Sequence, residues 1–175
     1  MKNYIFCYHG VAKKKDLLIN PEINSNGKHI SEDDFYKQVK FLSQNKNVVS
    51  INDLKNKINL KDENVIITFD DGFKNNLLAA EILDKFKLPS TFYLSVGNIV
   101  NQKMFWVDML EDFILTNNIK KFNFDGINYN LDGISSKLKC LNKIKYKLKR
   151  FLKSKRDIFF EDLTLKHNRS EEHTS

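Results

Sequence analysis

One stretch of this chain combines residue types at a spacing that could do chemistry: Val65-Ile66-Ile67-Thr68-Phe69-Asp70-Asp71-Gly72. The run to Phe69 is β-branched and apolar, the composition of a buried strand. It ends in two adjacent carboxylates and a glycine that can turn the chain sharply. Side chains on extended backbone alternate between faces, so Asp70 and Asp71 diverge unless the strand ends between them. A turn there aims both into one cleft, where one carboxylate can hold a metal and the other can take a proton. The plainer reading is an acidic turn that favours the positive end of the helix starting at Asn75.

The surrounding pattern supplies elements to position that pair. Tyr4 to Tyr8 reads as a first strand closed by His9-Gly10, followed by a polar loop to Ile30. Ser31 has the character of an N-cap, with Glu32, Asp33 and Asp34 behind it and Phe35, Val39 and Leu42 at helical spacing. Val48 to Ile51 is a short strand and Asn52 to Ile58 a short helix. After the Val65–Phe69 strand come a helix over Asn75–Phe86 and a strand over Ser90–Val96. This alternation predicts an α/β fold with a mostly parallel sheet, and catalytic groups gather at the carboxyl ends of such strands. Beyond Gly97 the pattern changes. A helix is expected over Phe105–Thr116, then a hairpin turning at Asp125-Gly126, then one long basic helix from Ser135 to Lys166 with Leu138, Leu141, Ile144, Leu148 and Leu152 on a stripe. Residues 4–100 are read as the α/β core and 101–166 as an insertion into it.

The composition bounds the function classes. The chain has 175 residues and a net charge of +7, with globular proportions of hydrophobic (41%) and charged (29%) residues. Between Lys137 and Lys166 eleven Lys/Arg stand against three acids. That excess fits a solvated face, or peripheral contact with an anionic surface or acidic polysaccharide; no RNA-binding or zinc-finger spacing supports a nucleic-acid partner. Cys7 and Cys140 form no CxxC pair and are expected to be buried thiols. No transmembrane segment or signal peptide is evident, which points to the cytoplasm or the envelope periphery.

Thr68-Phe69-Asp70-Asp71-Gly72 resembles the first motif of the polysaccharide deacetylase family, also called the NodB-homology or carbohydrate esterase 4 family. Leu88 to Leu94 is similar to the strand after the motif helix, Tyr8-His9-Gly10 to the opening strand of the capsule-associated branch, and Phe105-Trp106 to that branch's insertion. The resemblance implies a partial, distorted (β/α) barrel with a hairpin-plus-basic-helix insertion. It implies a divalent metal, zinc in most members, held by Asp71 with two histidines of a later His-x-x-x-His motif. Asp70 would be the general base that deprotonates metal-bound water for attack on the acetamide of an N-acetylated glycan. His9 would line the cleft or bond a neighbouring loop; Trp106 would stack on a sugar or pack in the insertion.

The chain departs from the family pattern: it has no His-x-x-x-His, and its histidines are His9, His29, His167 and His173. Three protein ligands are the usual minimum for a catalytic zinc, so the chain is expected to be an inactive fragment with half a metal site. Arg169 to Ser175 resembles a translated sequencing adapter, which places the end of natural sequence near Asn168 and removes His173 from consideration. Two other readings compete: a non-catalytic glycan- or anion-binding module using the basic helix, and a metal phosphatase, which the lack of an Asp-x-Asp pattern weakens.

Overall fold

The computed structural model describes residues 1–19, 24, 27–116 and 119–167. The chain divides into two compact units, 1–103 and 104–175. The first is mixed α/β: β1 (Lys2–Tyr8), β2 (Gly10–Ala12), α1 (Lys14–Ile19), β3 (His29–Ser31), α2 (Glu32–Asn45), β4 (Asn47–Val48), α3 (Ile51–Asn56), β5 (Glu63–Phe69), α4 (Asn76–Lys85), β6 (Thr91–Phe92) and α5 (Val96–Val100).

Its main sheet is parallel throughout and centred on β5. One edge of β5 pairs with β1 along its whole length, and β4 and β6 pair with the two ends of the other edge. Val65, Ile67 and Phe69 alternate onto one face and meet Phe35, Val39 and Leu42 of α2 and Ala79, Ile82 and Leu83 of α4. The predicted cap at Ser31 is present, its hydroxyl accepting from the Asp34 amide at 3.2 Å. Ser50 and Asp53 close a capping box that starts α3, so the expected strand over Val48–Ile51 stops at Val48.

Two expectations for this unit are corrected. The segment read as a polar loop to Ile30 contains β2 and β3, which pair in parallel, and a short helix. Val11 is fully buried in the core there, a single apolar anchor too isolated to show a period in sequence. The strand expected over Ser90–Val96 is two residues long. β6 can pair only as far as Phe69, because β5 turns away at Asp71 and leaves it no further ladder partner.

The second unit holds α6 (Trp106–Thr116), the antiparallel pair β7 (Lys121–Phe124) and β8 (Ile127–Asn130), α7 (Gly133–Leu148) and α8 (Lys153–His167). Asp125 and Gly126 both take positive φ (54° and 76°), as a two-residue type I′ turn demands. Leu110, Ile114, Leu141, Ile144 and Leu148 form its buried centre. The single long basic helix is corrected to two. After Leu148 the bonding tightens to the i−3 pattern, Arg150 N to Lys147 O at 3.0 Å and Phe151 N to Leu148 O at 3.1 Å. The Phe151 ring then stacks near Phe124, 6.2 Å between centroids. Leu152, placed on the apolar stripe by its spacing, is 79% exposed.

That break has a measurable signature in chemical denaturation. Leu141→Ala should cost about 2–5 kcal/mol, whereas Leu152→Ala should change stability by no more than about 0.5 kcal/mol. Comparable losses at both positions would indicate an unbroken stripe.

Candidate active site

The β1–β5 ladder runs in register from Lys2–Glu63 to Tyr8–Phe69. Its last rung is the Asp70 amide donating to the Tyr8 carbonyl at 2.8 Å. Asp70 is thus the first residue past the strand, and His9 is the residue next to it in register. Beneath this strand end lies an aromatic floor: Phe69 stacks on Phe92 with centroids 4.6 Å apart and on Tyr8 at 5.4 Å, and meets Phe35 edge-on at 5.8 Å.

The chain then reverses within two residues. Asp71 and Gly72 both adopt left-handed conformations, φ 73° and 75°. This costs a non-glycine residue about 1–2 kcal/mol, and aspartate is among the few side chains enriched there. Gly72 is placed by its φ: a Cβ there would meet only the movable end of the Leu94 side chain, at 2.9 Å from Cδ2. The Gly72 amide donates to the Asp70 carbonyl at 3.0 Å, and the Ser95 amide reaches the Asp71 carbonyl at 3.4 Å. These bonds hold the turn that breaks strand alternation between the two carboxylates.

The segment after the turn is tied down on its far side. Asn75 Nδ2 lies 3.2 Å from His29 Nδ1, and the His29 ring sits edge-on to Phe73 at 5.6 Å. A Cβ at Gly10 would approach His29 Nδ1 to 2.4 Å, so a glycine at the start of β2 permits this contact.

Both carboxylates are half-buried. Asp70 Oδ2 accepts from the Cys7 thiol at 3.3 Å, while the Asp71 carboxylate has no hydrogen bond among the described residues. The capping alternative has no hydrogen bond behind it: α4 begins at Asn76 with Asn75 as its N-cap, and no side chain caps it. Cys7 corrects an expectation, because it is exposed and not buried; it sits on β1, which among the described residues pairs along one edge only. Cys140 is buried as expected. Desolvation pushes the Cys7 thiol pKa above its ordinary value, the Asp70 hydrogen bond adds to this, and the Thr68 hydroxyl opposes it. Burial lifts Cys140 to about 11.

Among the described residues no group of three or more His, Cys, Asp and Glu side chains is placed to hold a metal ion. His9 and His29 therefore do not complete a donor set with the aspartates, and one or two carboxylates fall short of a catalytic zinc site. Trp106 opens α6 in the second unit, where it packs against the core with Phe160 at 6.3 Å and the Arg156 guanidinium 5.2 Å from its ring centroid. His173 and the 169–175 tail lie outside the described residues. Sequence reasoning gave no role to Cys7 or His29. Cys7 could have been found from strand parity, since it shares the Thr68–Asp70 face; His29 is placed by long-range β2–β3 pairing that leaves no local signal.

No family model matches the chain, and no curated protein matches it. Solved structures of deacetylases do resemble it. A polysaccharide deacetylase from Bacillus cereus is 27% identical, with a TM-score of 0.45 over 56% of this chain and 31% of its own. A Streptococcus pyogenes deacetylase solved with acetate is 21% identical, with a TM-score of 0.48 over 63% and 51%. A de-N-acetylase from Aggregatibacter actinomycetemcomitans is 18% identical, with a TM-score of 0.43 over 82% and 51%. The chain spans between 31% and 51% of the length of these proteins.

The Cys7–Asp70 contact can be read through the thiol itself. Burial is the main cause of the raised Cys7 pKa, and Asp70 adds to it through its hydrogen bond and charge; Asp70→Asn removes that charge, so the pKa should fall and alkylation by iodoacetamide at pH 8 should accelerate. Buried Cys140 contributes little background. An unchanged rate would mean that the two groups do not interact.

Proposed function

We propose that this chain carries the carboxylate half of a polysaccharide deacetylase site, acting on an N-acetylhexosamine-containing polysaccharide or glycan precursor. The reaction adds water across the acetamide and yields acetate and a free amine. The observation that carries this reading is the turn at Asp70-Asp71-Gly72: two half-buried carboxylates at a strand carboxyl end, split by a left-handed residue, one of them without a hydrogen-bond partner among the described residues. Supporting it is the ordered motif resemblance of the segments around that turn.

In this reading Asp70 accepts the proton of the attacking water. Its Oδ2 is oriented by the Cys7 thiol and its backbone by the Tyr8 carbonyl, so the base is held before substrate arrives. Asp71 would be one donor for a divalent metal, zinc by preference, which would supply carbonyl polarisation and an acidified water where further donors completed its site. The described residues do not fit a closed zinc site, so the reading requires two further donors that they do not bring here. The parallel sheet on β5 would form part of a distorted (β/α) barrel, with residues 101–166 as an insertion.

Two measurements test this. The 175-residue chain should show no near-stoichiometric tight binding in a zinc titration and release no acetate from N-acetylglucosamine oligomers; tight one-to-one binding would overturn the half-site. In a form that supplies the remaining donors, acetate release should fall about 100-fold or more in Asp70→Asn, the usual range for loss of a general base. Undiminished activity would remove Asp70 from that role.

A further inference from the structure

The second unit contains a groove that the carboxylate site does not use. It runs between β8 and α7 as two adjoining depressions of about 250 and 500 Å³ that share Ile127, Tyr129 and Lys143. Neither wall carries a carboxylate: β8 is Ile-Asn-Tyr-Asn, and α7 has five lysines and no acid along its length. Lys139, Lys143 and Lys147 line the groove at a spacing of four, which puts them in one row about 6 Å apart. Lys147 is paired with Asp125 at 3.1 Å. Lys139 and Lys143 are exposed and have no carboxylate partner among the described residues. Asp125 at the hairpin turn is taken up by Lys147 at one end of the row, and Glu111 of α6 by Lys145.

The rest of the lining mixes Ile127, Tyr129 and Tyr146 with the uncharged polar side chains of Asn128, Asn130, Ser136 and Asn142. Tyr146 is 63% exposed, and the Arg150 guanidinium covers its ring at 3.4 Å; Ile127 is 45% exposed and Tyr129 is half-buried. Two adjacent ammonium groups with no carboxylate partner among the described residues, Lys139 and Lys143, beside tyrosine rings in an open trough suit an extended ligand that has both negative charge and flat apolar faces.

We propose that the β8–α7 groove binds an anionic glycan strand, with Lys139 and Lys143 meeting its carboxylates and Tyr129 and Tyr146 packing on its sugar rings. The choice of a sugar over another polyanion rests on the deacetylase reading; the charge and ring arrangement does not. The groove would hold the polymer independently of the carboxylate turn.

The test is a titration of the isotopically labelled full chain with a hyaluronan hexasaccharide at low salt, followed by amide chemical shifts. Shifts should concentrate in β8 and α7. Affinity should weaken about tenfold in the double variant Lys139→Gln/Lys143→Gln, as expected for two exposed charge pairs, and again on raising salt. Tyr146→Ala should also weaken it. Asp70→Asn/Asp71→Asn should leave it unchanged, so failure of the catalytic reading would not register here. Unaltered affinity in the lysine variant, or shifts confined to other elements, would overturn the proposal. So would capture by phosphatidylglycerol vesicles that depends on the lysines and ignores Tyr146→Ala, because that pattern assigns the face to a lipid surface.

Discussion

A single hydrogen bond, from the Asp70 amide to the Tyr8 carbonyl, marks where the central ladder of the first unit ends. Up to that rung β5 obeys strand alternation, with Val65, Ile67 and Phe69 committed to the core. Immediately past it, Asp71 and Gly72 take left-handed conformations and the alternation is lost. The strain of an aspartate at positive φ is tolerated because both sides of the turn are fixed: Phe69 is locked in stacked rings below, and Asn75 is held against His29 beyond. Without the parallel β1–β5 pairing, neither the last rung nor the Cys7 contact to Asp70 would exist. The site is a consequence of where pairing stops.

The two units concentrate different chemistry. The first places its acids at a strand end, with a thiol as a hydrogen-bond donor. The second carries a dense run of lysine and arginine on α7 and α8, and only some of that charge is paired with a carboxylate among the described residues. Lys145 and Glu111 form a largely buried pair, each side chain 13% exposed; removing Glu111 would leave the Lys145 ammonium largely buried without that carboxylate. Lys139 and Lys143 carry no such constraint, so their charge remains available to a ligand.

Much of this was legible in sequence where the cause is local. Ser31 with its trailing acids announced the start of α2, Asp125-Gly126 the hairpin, and the β-branched run before Asp70 the central strand. Each depends on residues a few positions apart. What could not be read depends on distant partners. Gly10–Ala12 becomes a strand only because His29–Ser31 lies beside it, and Ser90–Val96 loses most of its strand because β5 turns away. Cys7 lies on a strand that among the described residues is paired along one edge only, which its apolar neighbours do not reveal. The long basic helix ends at Leu148, where i−3 bonding takes over and Phe151 stacks near Phe124, and the spacing of Leu152 carries no trace of that long-range contact. The adjacency of Asp70 and Asp71 was plain, but their separation into different backbone conformations was visible only in the fold.

The central claim is that these two neighbours do different work, Asp71 as metal donor and Asp70 as base. The most direct measurement is the zinc content of protein that carries the remaining donors, purified as Asp70→Asn and as Asp71→Asn. The account predicts near-stoichiometric zinc in the Asp70 variant and its loss in the Asp71 variant. Zinc retained in Asp71→Asn, or lost equally from both, would contradict it.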